Sequence, residues 1–380
     1  MLGATTEALE VEANKVHFES LSVHRKRNME KLKQWQMTEL NKEFSLVESD
    51  LPTINENEAI IKIAGCGVCH TDLSFWHDGV RTKKEMPLTL GHEISGVVVD
   101  GPAHLKGTNV IIPAVLPCGD CELCNKGRSN MCQNQLMPGN DFHGGFASHI
   151  VVPHQYLCPV PDPMLEKYSL EQLSVIADAI STPYQVMKKS ELEEGDLAIV
   201  IGVGGVGVYG ALIAKIMGAK VLAIDINDEK LEQAKANGVD ATLNSRDLSH
   251  KEIKAKVREI AKELGASKFG WKIFEISGTT PGQELAFSLL TFTSTLSIVG
   301  FTMDKLNVRL SNLMAFDAKL IGTWGCMPEL YPEVVGLIAT GKLEIQDFVE
   351  TFPMSQINEV FKNTLEHKYD KRSVMVPDFN

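Results

Sequence analysis

Residues 197–225 read LAIVIGVGGVGVYGALIAKIMGAKVLAID. The continuous apolar run Leu197–Ile201 is what a strand buried on both faces shows. Gly202, Gly204, Gly205 and Gly207 follow at once and open a helix, before a second apolar strand ending at Asp225. Gly202 permits the tight turn, the next glycine lets a pyrophosphate approach the main chain, and the helix N-terminus faces the phosphates. Asp225 stands 23 residues after Gly202, where its carboxylate can accept ribose hydroxyls and repel a 2′-phosphate. That favours NAD over NADP. Alone, G-x-G-x-x-G is a weak signal; strand, glycines, helix, strand and acid in this order are a strong one.

Working outward, βα alternation continues downstream. Helices are predicted over 229–238, 249–265 and 281–290, with strands over 271–277 and 295–301. This is the pattern of a doubly wound parallel α/β sheet. Upstream, short β-rich runs over 31–37, 58–68, 91–100, 109–115 and 147–153 are separated by Gly, Pro and Asn, which suggests a compact β-rich, barrel-like domain. Helical periodicity runs from 169 to 187 between the two regions. The last segments, 319–325, 330–343 and the strand 371–379, are compatible with a return to the first domain. Residues 1–28, with the basic run HRKR at 24–27, read as a poorly packed arm or extension, or else as a short docked amphipathic helix.

A chain of 380 residues suits two domains, and 44% hydrophobic with 23% charged residues is the composition of a soluble globular protein. The net charge of −12 argues against a nucleic-acid binder or an anionic membrane surface, though a local basic pocket can still hold an anionic small molecule. No apolar run is long enough to span a bilayer, and the mixed, acidic N-terminus lacks the apolar core of a secretory signal. Half of the eight cysteines cluster at metal-ligand spacing, which suits a reducing cytoplasm.

Two clusters carry metal chemistry. Within residues 65–93, Cys69, His92 and Glu93 offer soft sulfur, borderline nitrogen and a spare oxygen, the donors of a catalytic zinc. Asp72, three residues past Cys69, can hold the far nitrogen of His92. The plain alternative is a buried thiol, a core histidine and a surface carboxylate. Asp178, on a small apolar stretch, reads as a cap or turn residue, or as a third ligand beside Cys69 and His92. Cys118, Cys121, Cys124 and Cys132 follow C-x2-C-x2-C-x7-C spacing, which can close a structural zinc site. An iron–sulfur cluster competes, but the fourth cysteine comes late and no proline follows it. Free thiols are the remaining reading.

Taken together, GCGVCHTD, GHE, the four-cysteine lobe and GVGGVG, in this order, resemble the zinc-containing medium-chain alcohol dehydrogenase family over residues 29–380. The resemblance implies a GroES-like catalytic domain over 29–182 carrying the zinc lobe, a Rossmann NAD-binding domain over 183–322, and a return to the catalytic domain over 323–380. It implies one catalytic and one structural zinc. Cys69 and His92 match metal ligands, Glu93 a carboxylate able to swing onto the metal, and Asp178 the third-ligand position, where most members carry Cys or Glu. Thr71 matches the hydroxyl that bonds the reacting alcohol. His70 and Arg372 match basic positions near the pyrophosphate, Lys230 the support of the adenosine ribose, and Thr182 a cofactor-side position. Ser74 stands where several members end a proton relay with histidine, so protons must leave through ribose hydroxyls and water, or through His70. The family likeness also implies a homo-oligomer, tetramer or dimer.

Within the family, residues 137–153, MPGNDFHGGFASHIVVP, resemble the 6-hydroxycyclohex-1-ene-1-carbonyl-CoA dehydrogenases of anaerobic aromatic degradation. The implied substrate is a cyclic hydroxyacyl-CoA, although no residue can be named from sequence for coenzyme A. His143 and His149 in this stretch read as structural or loop histidines. The expected reaction is hydride transfer from a secondary alcohol to NAD. Three alternatives remain: another secondary alcohol or polyol, hydration of an enoyl-CoA at the same metal, and a non-catalytic zinc-stapled binder. Zinc-free quinone reductases share the fold but do not need Cys69, His92 and Thr71.

Overall fold

The apolar run at 197–201 does become a strand buried at every position, the centre of a six-stranded parallel sheet. The structure is a computed structural model describing residues 31–379, so the expected N-terminal extension over 1–28 lies outside the described residues. Across the sheet the strands run Ala241–Asn244, Lys220–Asp225, Leu197–Ile201, Lys272–Glu275, Thr295–Ile298 and Lys319–Gly322. Every adjacent pair is parallel, so helices must return the chain over the faces. The helices Gly207–Ile216 and His250–Glu263 do this with apolar faces that bury Ile213, Ile253 and Val257. Each such side chain contributes roughly 1.5–3 kcal/mol. The strand order reverses direction between Leu197–Ile201 and Lys272–Glu275, which makes their carboxyl ends the crevice where a ligand binds.

The upstream runs form a second sheet. Its order is Val349–Pro353, Arg372–Val376, Glu58–Gly67, Glu93–Asp100, Asn109–Ile112 and Cys158–Pro159, with His149–Pro153 paired to Glu58–Gly67. Arg372–Val376 lies antiparallel to Glu58–Gly67, so the C-terminal segment does return to the first sheet. Lys31–Gln36 pairs with Ser45–Asp50 as a separate two-stranded ribbon. Among the described residues no helix is long and apolar enough to cross a membrane.

One expectation is corrected. The periodic stretch 169–187 is not a continuous helix but a 3-10 turn, Gln172–Ala177, followed by the helix Ser181–Lys189. Pro183 has no N–H to give to the carbonyl four residues back, so it is tolerated only in a helix's first turn and the helix must restart just before it. Asp178 sits in the break at φ −143° and ψ −55°. The chain crosses back near 323–327, where the buried amide of Gln185 receives and supplies the bonds. Its Nε2 donates to Thr323 Oγ1 at 3.0 Å and to the Gly325 carbonyl at 2.8 Å, and its Oε1 accepts from Met327 N–H at 2.7 Å.

Candidate active site

Cys69 ends the strand-to-helix turn as N-cap of a helix, His70–Trp76, that the sequence patterns had not suggested. Asp72 is the residue that builds this corner. Fully buried, it accepts the N–H of Cys69 at 2.9 Å on one oxygen, and on the other the N–H of Gly91 at 3.0 Å and Nδ1 of His92 at 3.3 Å. The bond expected from sequence is therefore present, and it directs His92 Nε2 at the remaining donors. Nε2 lies 3.7 Å from Asp178 Oδ2, which is itself 3.7 Å from Cys69 Sγ. Donor atoms of Cys69, His92, Glu93 and Asp178 all fall within 4.8 Å of one another. Burial pushes Asp178 up, but the imidazole of His92 and then the Thr182 hydroxyl hold it down at about 2. Burial likewise opposes charge on His92, yet Asp72 and then Asp178 lift it well above its ordinary value. This surplus of anionic donors around one imidazole suits a divalent cation.

Thr71 Oγ1 stands 3.7 Å from Cys69 Sγ. Thr182 Oγ1 donates to Asp178 Oδ1 at 2.5 Å. Glu93, wholly buried, is gripped by Arg372, whose Nε donates to Oε2 at 3.0 Å and whose Nη2 donates to Oε1. Arg372 also reaches the glycine loop: a Cβ on Gly205 would meet its Cδ at 3.3 Å. One guanidinium thus joins the candidate metal-ligand set to the glycine loop. His70 keeps an edge open to water in the same corner, its ring stacked on His367 at 5.9 Å. Partial enclosure, then the charges of Arg372, His367 and Lys230, draw its pKa down to about 4.

In the loop itself, Gly202 takes φ +85°, and a Cβ there would meet Ser277 at 2.7 Å. A Cβ on Gly207 would lie 1.8 Å from the Gly202 carbonyl, whereas Gly204 faces open space. Asp225 accepts the N–H groups of Val203, Ile226 and Asn227, which ties the loop to the end of its strand and leaves lone-pair capacity for a further donor. Lys230 lies one turn into the helix Asp228–Ala236.

The four-cysteine lobe converges as its spacing requires. Sγ separations are 3.5 Å for Cys121–Cys124, 3.7 Å for Cys121–Cys132 and 3.4 Å for Cys132–Cys118. Thiolates at zinc–sulfur distance in a tetrahedron stand roughly 3.8 Å apart, so the set fits a closed zinc site. Two residues near the centre had no signal in the sequence. His367 meets His70 from nearly three hundred residues away. Tyr331 donates to the carbonyl of Ala177 and accepts from Ala114 N–H at 3.1 Å, fixing the break that presents Asp178.

Comparison with known proteins agrees with this geometry. Residues 55–162 match the alcohol dehydrogenase GroES-like domain, and residues 205–340 match the zinc-binding dehydrogenase domain. An alcohol dehydrogenase of Geobacillus stearothermophilus is 30% identical over 348 residues, spanning 89% of this chain and 97% of the relative. D-arabinose 1-dehydrogenase (NADP(+)) of Saccharolobus solfataricus is 28% identical, spanning 92% and 99%. The crystal structure of the alcohol dehydrogenase of Aeropyrum pernix superimposes with a TM-score of 0.79 at 27% identity, covering 91% of this chain and all of that one. With two donor sets that fit zinc and a glycine loop at the crevice of a parallel sheet, the chain belongs to the zinc-binding medium-chain alcohol dehydrogenase family.

Proposed function

We propose that this chain oxidises a secondary alcohol with NAD at the Cys69–His92–Asp178 centre, and that the alcohol is 6-hydroxycyclohex-1-ene-1-carbonyl-CoA, giving the 6-oxo thioester. The observation that carries the redox reading is Arg372, which couples the carboxylate of the metal set to the dinucleotide loop. When bound, zinc lowers the pKa of the alcohol and the nicotinamide accepts the hydride. The Thr71 hydroxyl accepts the alcohol proton and passes it towards His70, which is neutral near pH 7. Thr182 holds Asp178, and Asp72 holds His92, so that neither ligand has to reorient during turnover. Glu93 is the reserve carboxylate, kept off the centre by Arg372. Arg372 and Lys230 balance the pyrophosphate charge, whereas the neutral His70 does not. Asp225 takes the ribose hydroxyls and disfavours a 2′-phosphate. Cys118, Cys121, Cys124 and Cys132 hold the second zinc for stability alone.

Support for the thioester comes from the loop beside residues 137–145. Backbone N–H groups of Lys83 and Lys84 bond to Asn140 at 3.1 and 2.8 Å, and Lys83 pairs with Asp141 at 2.8 Å. That leaves Arg81 and Lys84 without an ion pair among the described residues, available for phosphates in a chain of net charge −12. Residues 144–146 bond backbone to backbone with Thr89, Leu90 and Gly91, directly before His92, which ties this loop to the segment carrying a candidate metal ligand. We also assign the catalytic domain to 29–182 and 323–380 and the Rossmann domain to 183–322. A homo-oligomer is favoured by the exposed Leu310, Met314 and Leu320 beside Lys319–Gly322, an edge strand among the described residues.

The test is to mix purified protein with NAD and the hydroxy thioester and follow NADH absorbance, with plain cyclic alcohols alongside. Rapid NADH formation with the thioester alone establishes the substrate. Turnover of the alcohols alone removes the thioester and keeps the dehydrogenase. Addition of water to an enoyl thioester without NADH removes both.

A further inference from the structure

Glu275 closes the strand Lys272–Glu275 at the crevice and is wholly buried, with no ion pair among the described residues. One oxygen, Oε1, accepts the N–H of Ser277 at 2.9 Å, the N–H of Gly278 at 3.1 Å and the Ser277 hydroxyl. The other, Oε2, has no hydrogen-bond partner. The Gln283 amide lies close enough to favour the charged carboxylate, and its Nε2 donates to the Gly300 carbonyl at 3.4 Å. A buried acceptor left unmade is costly, so an oxygen kept in that state calls for a partner. Burial also pushes this carboxyl above its ordinary range.

What surrounds Glu275 says what it is for. Its backbone carbonyl accepts Val299 N–H at 2.9 Å and Gly300 N–H at 3.1 Å, so one residue holds two turns, 277–278 by side chain and 300–301 by main chain. The turns interlock through glycines: a Cβ on Gly300 would meet Gly278 N at 2.1 Å and Glu275 Oε2 at 3.1 Å, and a Cβ on Gly202 would meet Ser277. The phosphate loop, turn 277–278 and turn 300–301 are therefore stacked in sequence across the carboxyl ends of the strands. Asp225 marks the adenosine side of the central strand Leu197–Ile201, and Glu275 stands on the opposite side, under the nicotinamide half of a dinucleotide lying across the crevice.

We propose that Glu275 is a positioning residue for the nicotinamide half of the cofactor, its unused oxygen held for the Phe301 N–H when that half is seated, the Gly300 N–H being already given to the Glu275 carbonyl. The inference rests on the dinucleotide reading given above. It is tested with zinc-loaded protein by measuring dissociation constants for NADH and for ADP-ribose, which lacks the nicotinamide, in wild type and in E275Q. The glutamine keeps the shape and can replace the paired oxygen, but presents an amide donor where the second acceptor stood. NADH binding is expected to weaken at least about tenfold while ADP-ribose changes less than about twofold. Equal weakening of both, or no change in either, overturns the proposal and leaves the cofactor reading intact. If wild type binds neither molecule, both fall. Should E275Q not fold, S277A decides the matter: a smaller loss confined to NADH supports the proposal, and a loss shared with ADP-ribose sinks it.

Discussion

Asp72 organises more of the centre than its size suggests. With one carboxylate it caps the helix bearing Thr71, fixes the Gly91 turn and sets the tautomer of His92. Losing an outer partner of this kind weakens metal affinity about 10- to 100-fold. Asp72→Ala is therefore expected to bind the catalytic zinc that much more weakly, as measured by competition with a chelating dye, while the four-cysteine zinc stays. Asp178→Ala should take the metal content from about two zinc ions per chain to about one by elemental analysis, because a donor rather than its support is gone. Unchanged content would mean that Glu93 has left Arg372 to replace it. The Asp72 pairing was legible because the acid stands three residues past the candidate ligand Cys69, within reach of the other one. The role of Tyr331 was not, since a tyrosine bonded to a carbonyl 154 residues away leaves no local pattern.

Helices and strands were readable wherever periodicity met the expected glycine or proline, and misread where one residue vetoed the pattern. Pro183 splits the 169–187 stretch, and the split puts Asp178 into the centre rather than along a helix face. The short helix His70–Trp76 was invisible because its cap is a cysteine, outside the usual oxygen-bearing set. Glycine substitutions at the phosphate loop should separate by position. Gly207→Ala drives a methyl into the backbone carbonyl of Gly202 and should abolish NADH binding in a fluorescence titration, with loss of stability. Gly205→Ala meets the Arg372 side chain, at 3.3 Å from Cδ, and no backbone, so the fold should survive with NADH affinity reduced a few-fold. Equal behaviour of the two variants would contradict this account of the loop.

Across the whole molecule, the zinc lobe and the second crossing brace each other. Asn130 Nδ2 donates to the Trp324 carbonyl at 2.8 Å, Trp324 Nε1 donates to Gln135 Oε1 at 2.9 Å, and Ser129 Oγ donates to Glu329 at 2.7 Å. Gln185 grips the same segment from the helix side. Gln185→Ala removes the partner of the half-buried Gly325 carbonyl and Met327 N–H and should lower unfolding free energy by about 2 kcal/mol in denaturant titration, with both zinc ions retained. Stripping the lobe's zinc should open residues 118–132 to proteolysis and lower the thermal midpoint, and zinc but not magnesium should reverse both effects. Such long-range ties are set by how two sheets meet, which short windows of sequence do not record. Arg372 belongs to this scale as well. It lies on Arg372–Val376, the last strand of the chain, seated between Val349–Pro353 and Glu58–Gly67. A nascent chain can fold its glycine loop and gather its cysteines while still attached to the ribosome. It cannot seat Glu93 against a guanidinium until residues 372–376 have cleared the exit tunnel. Chains cut short by stalling or by clipping of this tail are thus born without a competent centre, however well the remainder folds.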